Sequence, residues 1–346
     1  MLPSTKTIGI IGGGQLAKLM ALEGIRLGFH FKFWADSNSS AISELGPRYD
    51  STNSSLLSFC QSVDTVVVDY EHIPLHEIEV IEQFSPYSGS AKLLRVGRDR
   101  LSEKLLQEEL GLPANDYVQF ESVDDINAVK DKLGFPFILK KRLNSYDGKG
   151  LILIKNSDEL AQVSQQQDLE QYIAEKFISF DKEYSLISVR DKMGNFSSYD
   201  VCENTHQDGI LVQSKNIVNP IVQKQANFIN QMIAEQCDYI GIFAVEYFSV
   251  NEKLVINEIS PRVHNSGHWT LDASVCSQFE NHLRACVGLP LGATTSHIQT
   301  TMFNIIGDFA LYQDLLNEPH AKIYHYNKTP RPNRKIGHIN FSEVKV

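Results

Sequence analysis

From residue 254 to residue 268 the chain reads Leu-Val-Ile-Asn-Glu-Ile-Ser-Pro-Arg-Val-His-Asn-Ser-Gly-His. The apolar run Leu254–Ile256 predicts a strand that delivers Asn257 and Glu258 to its end, and Pro261 stops the ladder. Arg262, His264, Asn265 and His268 follow within one short segment. Hard cations want carboxylate and carbonyl oxygens, whereas anions want guanidinium, imidazole and amide donors. Both sets side by side suit a metal-bound phosphate that meets a second anion.

A hairpin supplies the partner of Glu258. If Asn251-Glu252-Lys253 forms a three-residue loop, Glu246 and Glu258 sit opposite each other on one face. A two-residue loop puts Asn257 opposite Glu246 instead, and still gathers oxygens. Like charges opposite each other destabilise a sheet unless something neutralises them. Mg²⁺ does so, because it accepts one or two carboxylates together with substrate phosphates. The competing reading, two solvated glutamates, fits poorly with the apolar Phe243-Ala244-Val245 and Leu254-Val255-Ile256 on either side.

Two further segments offer phosphate chemistry. Lys140-Lys141-Arg142-Leu143-Asn144-Ser145-Tyr146-Asp147-Gly148-Lys149-Gly150 lies between two apolar strands, so it is a basic hairpin loop able to fold over phosphates as a lid. Its alternative is a solvated Asp-Gly turn. Gly12-Gly13-Gly14-Gln15-Leu16-Ala17 fits the dinucleotide turn G-x-G-x-x-A, with Asp36 at the end of the next strand, where an NAD-ribose acid sits. The same glycines serve any anion at a helix start, or a purely structural turn. Glu175-Lys176-Phe177-Ile178, Glu183 and His206 are undecided by composition alone. The basic stretch from Lys328 to Lys335 reads equally as a solvated loop or an anion patch.

The elements that must position these groups alternate at first. Strands at 7–11, 31–35 and 65–70 flank a helix at 15–27, which implies a parallel sheet covered on both faces. This unit ends near Arg95-Val96-Gly97. A helix at 100–110 follows, then strands at 135–140, 151–154, 170–178 and 183–189, the 243–257 hairpin, a helix at 276–287 and a strand-rich tail from about 297. The 346 residues suggest two or three domains. A formal charge of −10 argues against non-specific nucleic-acid binding. Five widely spaced cysteines without a C-x-x-C pair fit a reducing compartment. No signal-peptide pattern and no membrane-length apolar run are visible, so a cytoplasmic setting is expected.

The order of glycine-rich domain, lysine strand, basic lid and Glu…Asn-Glu resembles the ATP-grasp superfamily over nearly the whole chain. Within it, residues 257–270 resemble most closely the 5-(carboxyamino)imidazole ribonucleotide synthase family, as do 146–150, 206–211, 277–280, 282–285 and 334–338. The resemblance implies an α/β fold, α+β in parts. It has an N-terminal Rossmann-like parallel-sheet domain (1–97), an ATP-grasp region (98–295, lid subdomain about 115–178) and a small C-terminal β-rich domain (296–346). It implies ATP as co-substrate, Mg²⁺ with Mn²⁺ as a substitute, and bicarbonate and 5-aminoimidazole ribonucleotide as partners. A homodimer is implied, without nucleic acid or membrane.

Residue by residue, the resemblance places Arg100 and Lys140 on the ATP phosphates under the loop Ser145, Tyr146, Asp147, Gly148, Lys149, Gly150 and Leu151. Glu175, Lys176, Phe177 and Ile178 border adenine, Glu183 holds the ribose and His206 lies at the ATP site. Glu246 and Glu258 take the metal, with Asn257 beside them. Arg262, His264 and Asn265 bind bicarbonate or carboxyphosphate and, with Lys140, form the catalytic set. Gln15, Glu71, Tyr146, Asp147, Lys328, Arg334 and Lys335 frame the ribonucleotide. The chain departs from the family pattern at Asn144-Ser145, where glycines are usual, at Lys149 in place of arginine, and at Ala17 in place of glycine.

Overall fold

The computed structural model describes residues 5–52, 54–84, 91–120, 125–144, 150–166 and 168–342. Its first layer is a four-stranded parallel sheet in the order Arg48–Asp50, His30–Ala35, Thr7–Ile11, Thr65–Val68. Ile8, Ile10, Ile11, Val66, Val67 and Val68 are all buried, as continuous apolar runs in a covered parallel sheet require. Helix Gln15–Arg26 buries Leu16, Leu19, Met20 and Gly24, the face the periodicity predicts. Gly24 is there for space: a Cβ at this position would stand 2.3 Å from the Phe31 ring and 2.7 Å from Leu283. That contact docks the first layer on helix Gln278–Val287 of the large domain.

A second, antiparallel sheet of four strands runs Tyr117–Gln119, Tyr172–Lys176, Phe137–Lys141, Leu151–Ile154. It carries Lys140 and Glu175 over a small core of Phe120, Val129, Phe137, Leu139 and Ile154. The third sheet has nine strands and begins at its edge with the hairpin Lys253–Ser260 and Gly241–Val250. Next come Lys182–Arg190, Cys202–Gln207, Ile210–Asn216, Thr300–Ile306, Lys335–Ser342 and Ala321–His325, and the ninth strand, Phe196–Ser198, pairs with Lys182–Arg190 off this path. The strand-rich tail therefore continues the large sheet, with Gln213 paired to Phe303, and is joined to it by backbone hydrogen bonds.

Two local expectations change. The 276–287 helix starts at Gln278, because Ser277 caps it through the Glu280 amide, a Ser-x-x-Glu cap. The hairpin loop is two residues, since Val250 pairs with Lys253 and both Asn251 and Glu252 have positive φ (50° and 62°). That is the primed turn that matches strand twist. By itself it would set Asn257 opposite Glu246. A β-bulge between Glu246 and Tyr247 adds one residue to the facing strand, so Tyr247 pairs with Ile256 and Glu246 with Glu258. The three-residue loop is wrong, and the Glu–Glu pairing is right for another reason.

Candidate active site

One cavity of about 1310 Å³ is walled by residues from all three sheets. Gln15, Glu71, Arg100, Lys140, Leu151, Glu175, Lys176, Phe177, Ile178, Glu183, His206, Glu246, Asn257, Glu258, Arg262, His264, Asn265, Lys328, Arg334 and Lys335 all line it. Ser145, Tyr146, Asp147, Gly148 and Lys149 lie outside the described residues. Gly150 is described, with φ +81°, but is not part of the cavity wall.

The bulge decides the cationic wall. A bulged strand turns two successive side chains toward the same side, which brings Asn257 and Glu258 together opposite Glu246. Arg100 Nη2 reaches Glu258 Oε2 at 3.2 Å, and Lys140 Nζ donates to Asn257 Oδ1 at 3.1 Å. Arg100 is held by the helix start it occupies: Asp99 caps the helix through the Leu101 amide. Burial, reinforced by Glu258 and opposed by His206, raises the Glu246 carboxyl to about 7. Two facing carboxylates under that stress fit a cation. Among the described residues no group of three acidic, histidine or cysteine side chains gathers for a metal. The chain therefore offers a partial donor set, of the kind Mg²⁺ completes with phosphate oxygens and water.

Beneath this wall lies a buried charge hub. Glu175 Oε2 is 3.2 Å from Lys140 Nζ, 3.3 Å from Lys104 Nζ and 3.2 Å from Asn115 Nδ2, from which it accepts. Burial opposes ionisation, but Lys140, Lys104 and Arg100 outweigh it and hold the Glu175 carboxyl at about 2. Burial, with Arg100 and Lys104 nearby, lowers Lys140 despite Glu175. Glu175 does line the cavity, yet its carboxylate is occupied by the two lysines. An acid missed in the sequence is Glu103, which accepts the Ile259 amide at 2.9 Å and so fixes the strand just past Glu258.

The anionic-ligand wall is equally tied down. Arg262 grips Glu71 through two guanidinium nitrogens, Nη2 to Oε1 at 2.8 Å. Burial alone would raise Glu71, but Arg262 holds it below its ordinary value. Gln278 receives the His264 amide at 2.9 Å and donates to the His264 carbonyl at 2.7 Å, anchoring the turn from behind. His264 Nδ1 lies 2.8 Å from Ser266 Oγ and 3.4 Å from the Ser266 amide. An amide can only donate, and Ser266 Oγ already accepts from Ser185 Oγ at 2.6 Å, so its hydrogen is available for the ring. Nδ1 is therefore an acceptor, and the His264 proton sits on Nε2, 3.6 Å from Glu246 Oε1. Burial, with Arg262 and Lys335 nearby, holds His264 well below its ordinary value, which keeps the ring neutral. Imidazole ¹⁵N shifts at neutral pH should show this Nε2–H tautomer, and Ser266→Ala should mix in the other.

His268, first read with the convergent polar groups, does not line the cavity. It is fully buried against Phe279 and His338, whose ring lies 4.9 Å away, and burial lowers it to about 3. His206 Nδ1 is 2.7 Å from Glu183 Oε2, and Lys328 is bonded to Gln15. At the glycine turn, Asp69 Oδ2 accepts the Gly14 amide at 2.9 Å, and a Cβ on Gly12 would fall 1.6 Å from Asp69 Oδ1. The chain's own carboxylate thus occupies the place where a dinucleotide phosphate would meet the turn, which removes the basis of the NAD reading. Burial raises Asp69 to about 6 against the pull of Gly14, Arg262 and Lys328.

Family models match along the chain in the same order as these walls. Residues 5–98 match the ribonucleotide synthetase preATP-grasp domain, 105–279 the ATP-grasp domain, and 300–345 the phosphoribosylaminoimidazole carboxylase C-terminal domain. An N5-carboxyaminoimidazole ribonucleotide synthase of Pseudomonas aeruginosa is 36% identical over 335 residues, 96% of this chain and 93% of that protein. The chain belongs to the N5-carboxyaminoimidazole ribonucleotide synthase family of ATP-grasp proteins. The solved N5-carboxyaminoimidazole ribonucleotide synthetase of Thermus thermophilus superposes with a TM-score of 0.90 at 35% identity, over 97% of this chain and 93% of that one. The Staphylococcus aureus N5-carboxyaminoimidazole synthetase, solved with ADP, gives 0.90 at 29% identity over 99% and 94%.

For a member of this family, the residues that sequence reasoning missed are Lys104, Glu103, Gln278 and Ser266 behind the cavity and Asp69 in its wall. Lys104 carried a faint signal, because it falls three residues after Leu101 on the buried face of its helix.

Proposed function

We propose that this chain carboxylates the exocyclic amine of 5-aminoimidazole ribonucleotide, consuming ATP and bicarbonate in purine biosynthesis. The observation that carries the reading is the adjacency of the two walls: His264 Nε2 stands 3.6 Å from Glu246 Oε1, so an anion cradle abuts a carboxylate pair. A bicarbonate oxygen attacks the γ-phosphorus of ATP, ADP leaves, and carboxyphosphate forms. The amine nitrogen then attacks the carboxyl carbon, or the CO₂ released from it; phosphate departs and the nitrogen loses a proton.

Such phosphoryl transfer needs positioning and charge neutralisation rather than a protein nucleophile. Lys140 and Arg100 meet the ATP phosphates. Glu246 and Glu258, with Asn257, hold Mg²⁺, which neutralises phosphate charge when bound. Arg262, the Nε2–H of His264 and the amide of Asn265 receive the bicarbonate oxygens. Lys176, Phe177 and Ile178 border adenine, and Glu183 with His206 faces the ribose side. Gln15, Glu71, Lys328, Arg334 and Lys335 frame the ribonucleotide. Carboxyphosphate is attacked by water, so the reaction needs a site that excludes it.

ADP release measured with Mg²⁺-ATP, bicarbonate and 5-aminoimidazole ribonucleotide, each omitted in turn, tests this directly. ADP release that is indifferent to the ribonucleotide sinks it. The same reading includes a cytoplasmic homodimer, which sedimentation velocity checks. No helix among the described residues is long and apolar enough to cross a membrane.

A further inference from the structure

Asn265 cannot choose which end of its amide faces the cavity. Its Nδ2 donates to Asn304 Oδ1 at 3.0 Å, and its Oδ1 accepts from Asn304 Nδ2 at 2.8 Å. Each amide of this reciprocal pair keeps one N–H and one lone pair. The pair alone is ambiguous, since flipping both amides gives equally good bonds. Leu211 breaks the tie. Its backbone carbonyl, which can only accept, takes the other Nδ2 hydrogen of Asn304 at 2.8 Å. The orientation of Asn304 is therefore fixed by the backbone, and that of Asn265 by Asn304.

The three residues come from three places in the chain. Leu211 lies in strand Ile210–Asn216, Asn304 in strand Thr300–Ile306, and Asn265 in the turn after the edge hairpin. Asn304 is only 1% exposed and does not line the cavity, whereas Asn265 does. A buried asparagine is expensive unless both ends of its amide are satisfied. Here the partners of its side chain, Asn265 and Leu211, both belong to the cavity wall.

We propose that Asn304 is a positioning residue for the anion cradle: through Leu211–Asn304–Asn265, the C-terminal strands fix the side on which the free N–H of Asn265 stands. That N–H faces a bicarbonate oxygen; a flipped amide sets a carbonyl lone pair there and repels the anion. The inference rests on the reading of Arg262–Asn265 as the bicarbonate cradle. It adds a task for the carboxyl-terminal strands beyond carrying Lys328, Arg334 and Lys335.

The test is a double-mutant cycle of Asn304→Ala and Asn265→Ala, read as bicarbonate KM, ATP KM and kcat for ADP release. Asn304→Ala is expected to raise the bicarbonate KM on the order of tenfold. The ATP KM should stay within about twofold, and the substitution should add nothing in the Asn265→Ala background. If Asn304→Ala does not fold, the near-isosteric Asn304→Asp, which loses both N–H groups, carries the same comparison. An unchanged bicarbonate KM overturns the proposal, as does an effect that persists undiminished without the Asn265 amide. A uniform loss across both KM values and kcat also overturns it, by marking a merely structural residue. Wild-type enzyme that shows no bicarbonate-saturable ADP release instead sinks the functional reading itself.

Discussion

Glu258→Gln should lower kcat for ADP release by roughly 10³-fold, the scale seen when one electrostatic contact to a transition state is removed. Glutamine is nearly isosteric, so the bulge that sets position 258 opposite Glu246 should persist. What is lost is one of the two charges that hold the proposed cation, together with the partner of Arg100 at 3.2 Å. The metal-free fold should not suffer. Burial and the charge of Glu258 both raise Glu103, and Glu258 likewise raises Glu246, so removing that charge relieves repulsion at two buried carboxyls while it withdraws support from the buried Arg100. The two effects oppose each other, so far-UV circular dichroism and Tm without ligand should stay close to wild type. Mg²⁺-ADP at about 100 times its Kd stabilises a protein by about 2.7 kcal/mol, and this rise in Tm should shrink markedly in the variant. Turnover within tenfold of wild type would mean that Glu258 does not hold the cation.

The contrast between Glu258 and the residues behind it shows what the sequence makes legible. Glu246 and Glu258 could be paired because two apolar runs flank them and a turn lies between. The bulge could not be foreseen, since it uses Asn257 rather than a glycine, and the Asn251-Glu252 turn also lacks one. A one-residue uncertainty in loop length decides which side chain faces which. The cavity wall was legible because convergent polar residues at strand ends are rare. Its support was not. Lys104, Glu103 and Asn304 are polar residues on buried faces, where composition alone argues for solvent, and their partners lie tens to more than a hundred residues away. Asp69 stands one position beyond a strand end, where only the three-dimensional approach to Gly12 and Gly14 reveals that it fills the glycine turn. The same holds for the tail. Its strand-rich character was legible, and only the Gln213–Phe303 pairing shows that these strands extend the large sheet.

Glu175→Gln should be the most damaging single change to stability in the cavity floor, and it should also weaken ATP binding. Glu175 is 2% exposed and is the shared partner of two lysines that are themselves almost fully buried. Removing one member of a buried ion cluster costs about 3–5 kcal/mol, because the remaining charges are left without compensation. The acid sensitivity of the wild-type protein points the same way. The carboxyl is held at about 2 against an ordinary value of 4.5, which corresponds to roughly 3 kcal/mol in favour of the ionised folded form. A carboxyl lowered by folding contributes stability that is complete above its unfolded value and lost as pH falls through the folded one. Wild type should therefore lose this contribution between about pH 4.5 and about 2, and the variant should show no such loss there. Urea titrations at a series of pH values measure both effects. Without Glu175, burial and mutual repulsion lower Lys140 further, so the ATP KM should rise while the bicarbonate KM holds. Lys104→Met in the Glu175→Gln background removes the other uncompensated ammonium and should recover part of the lost stability. A double variant less stable than Glu175→Gln alone would show that Lys104 draws its support from elsewhere in the fold, and that the hub is not a closed charge balance.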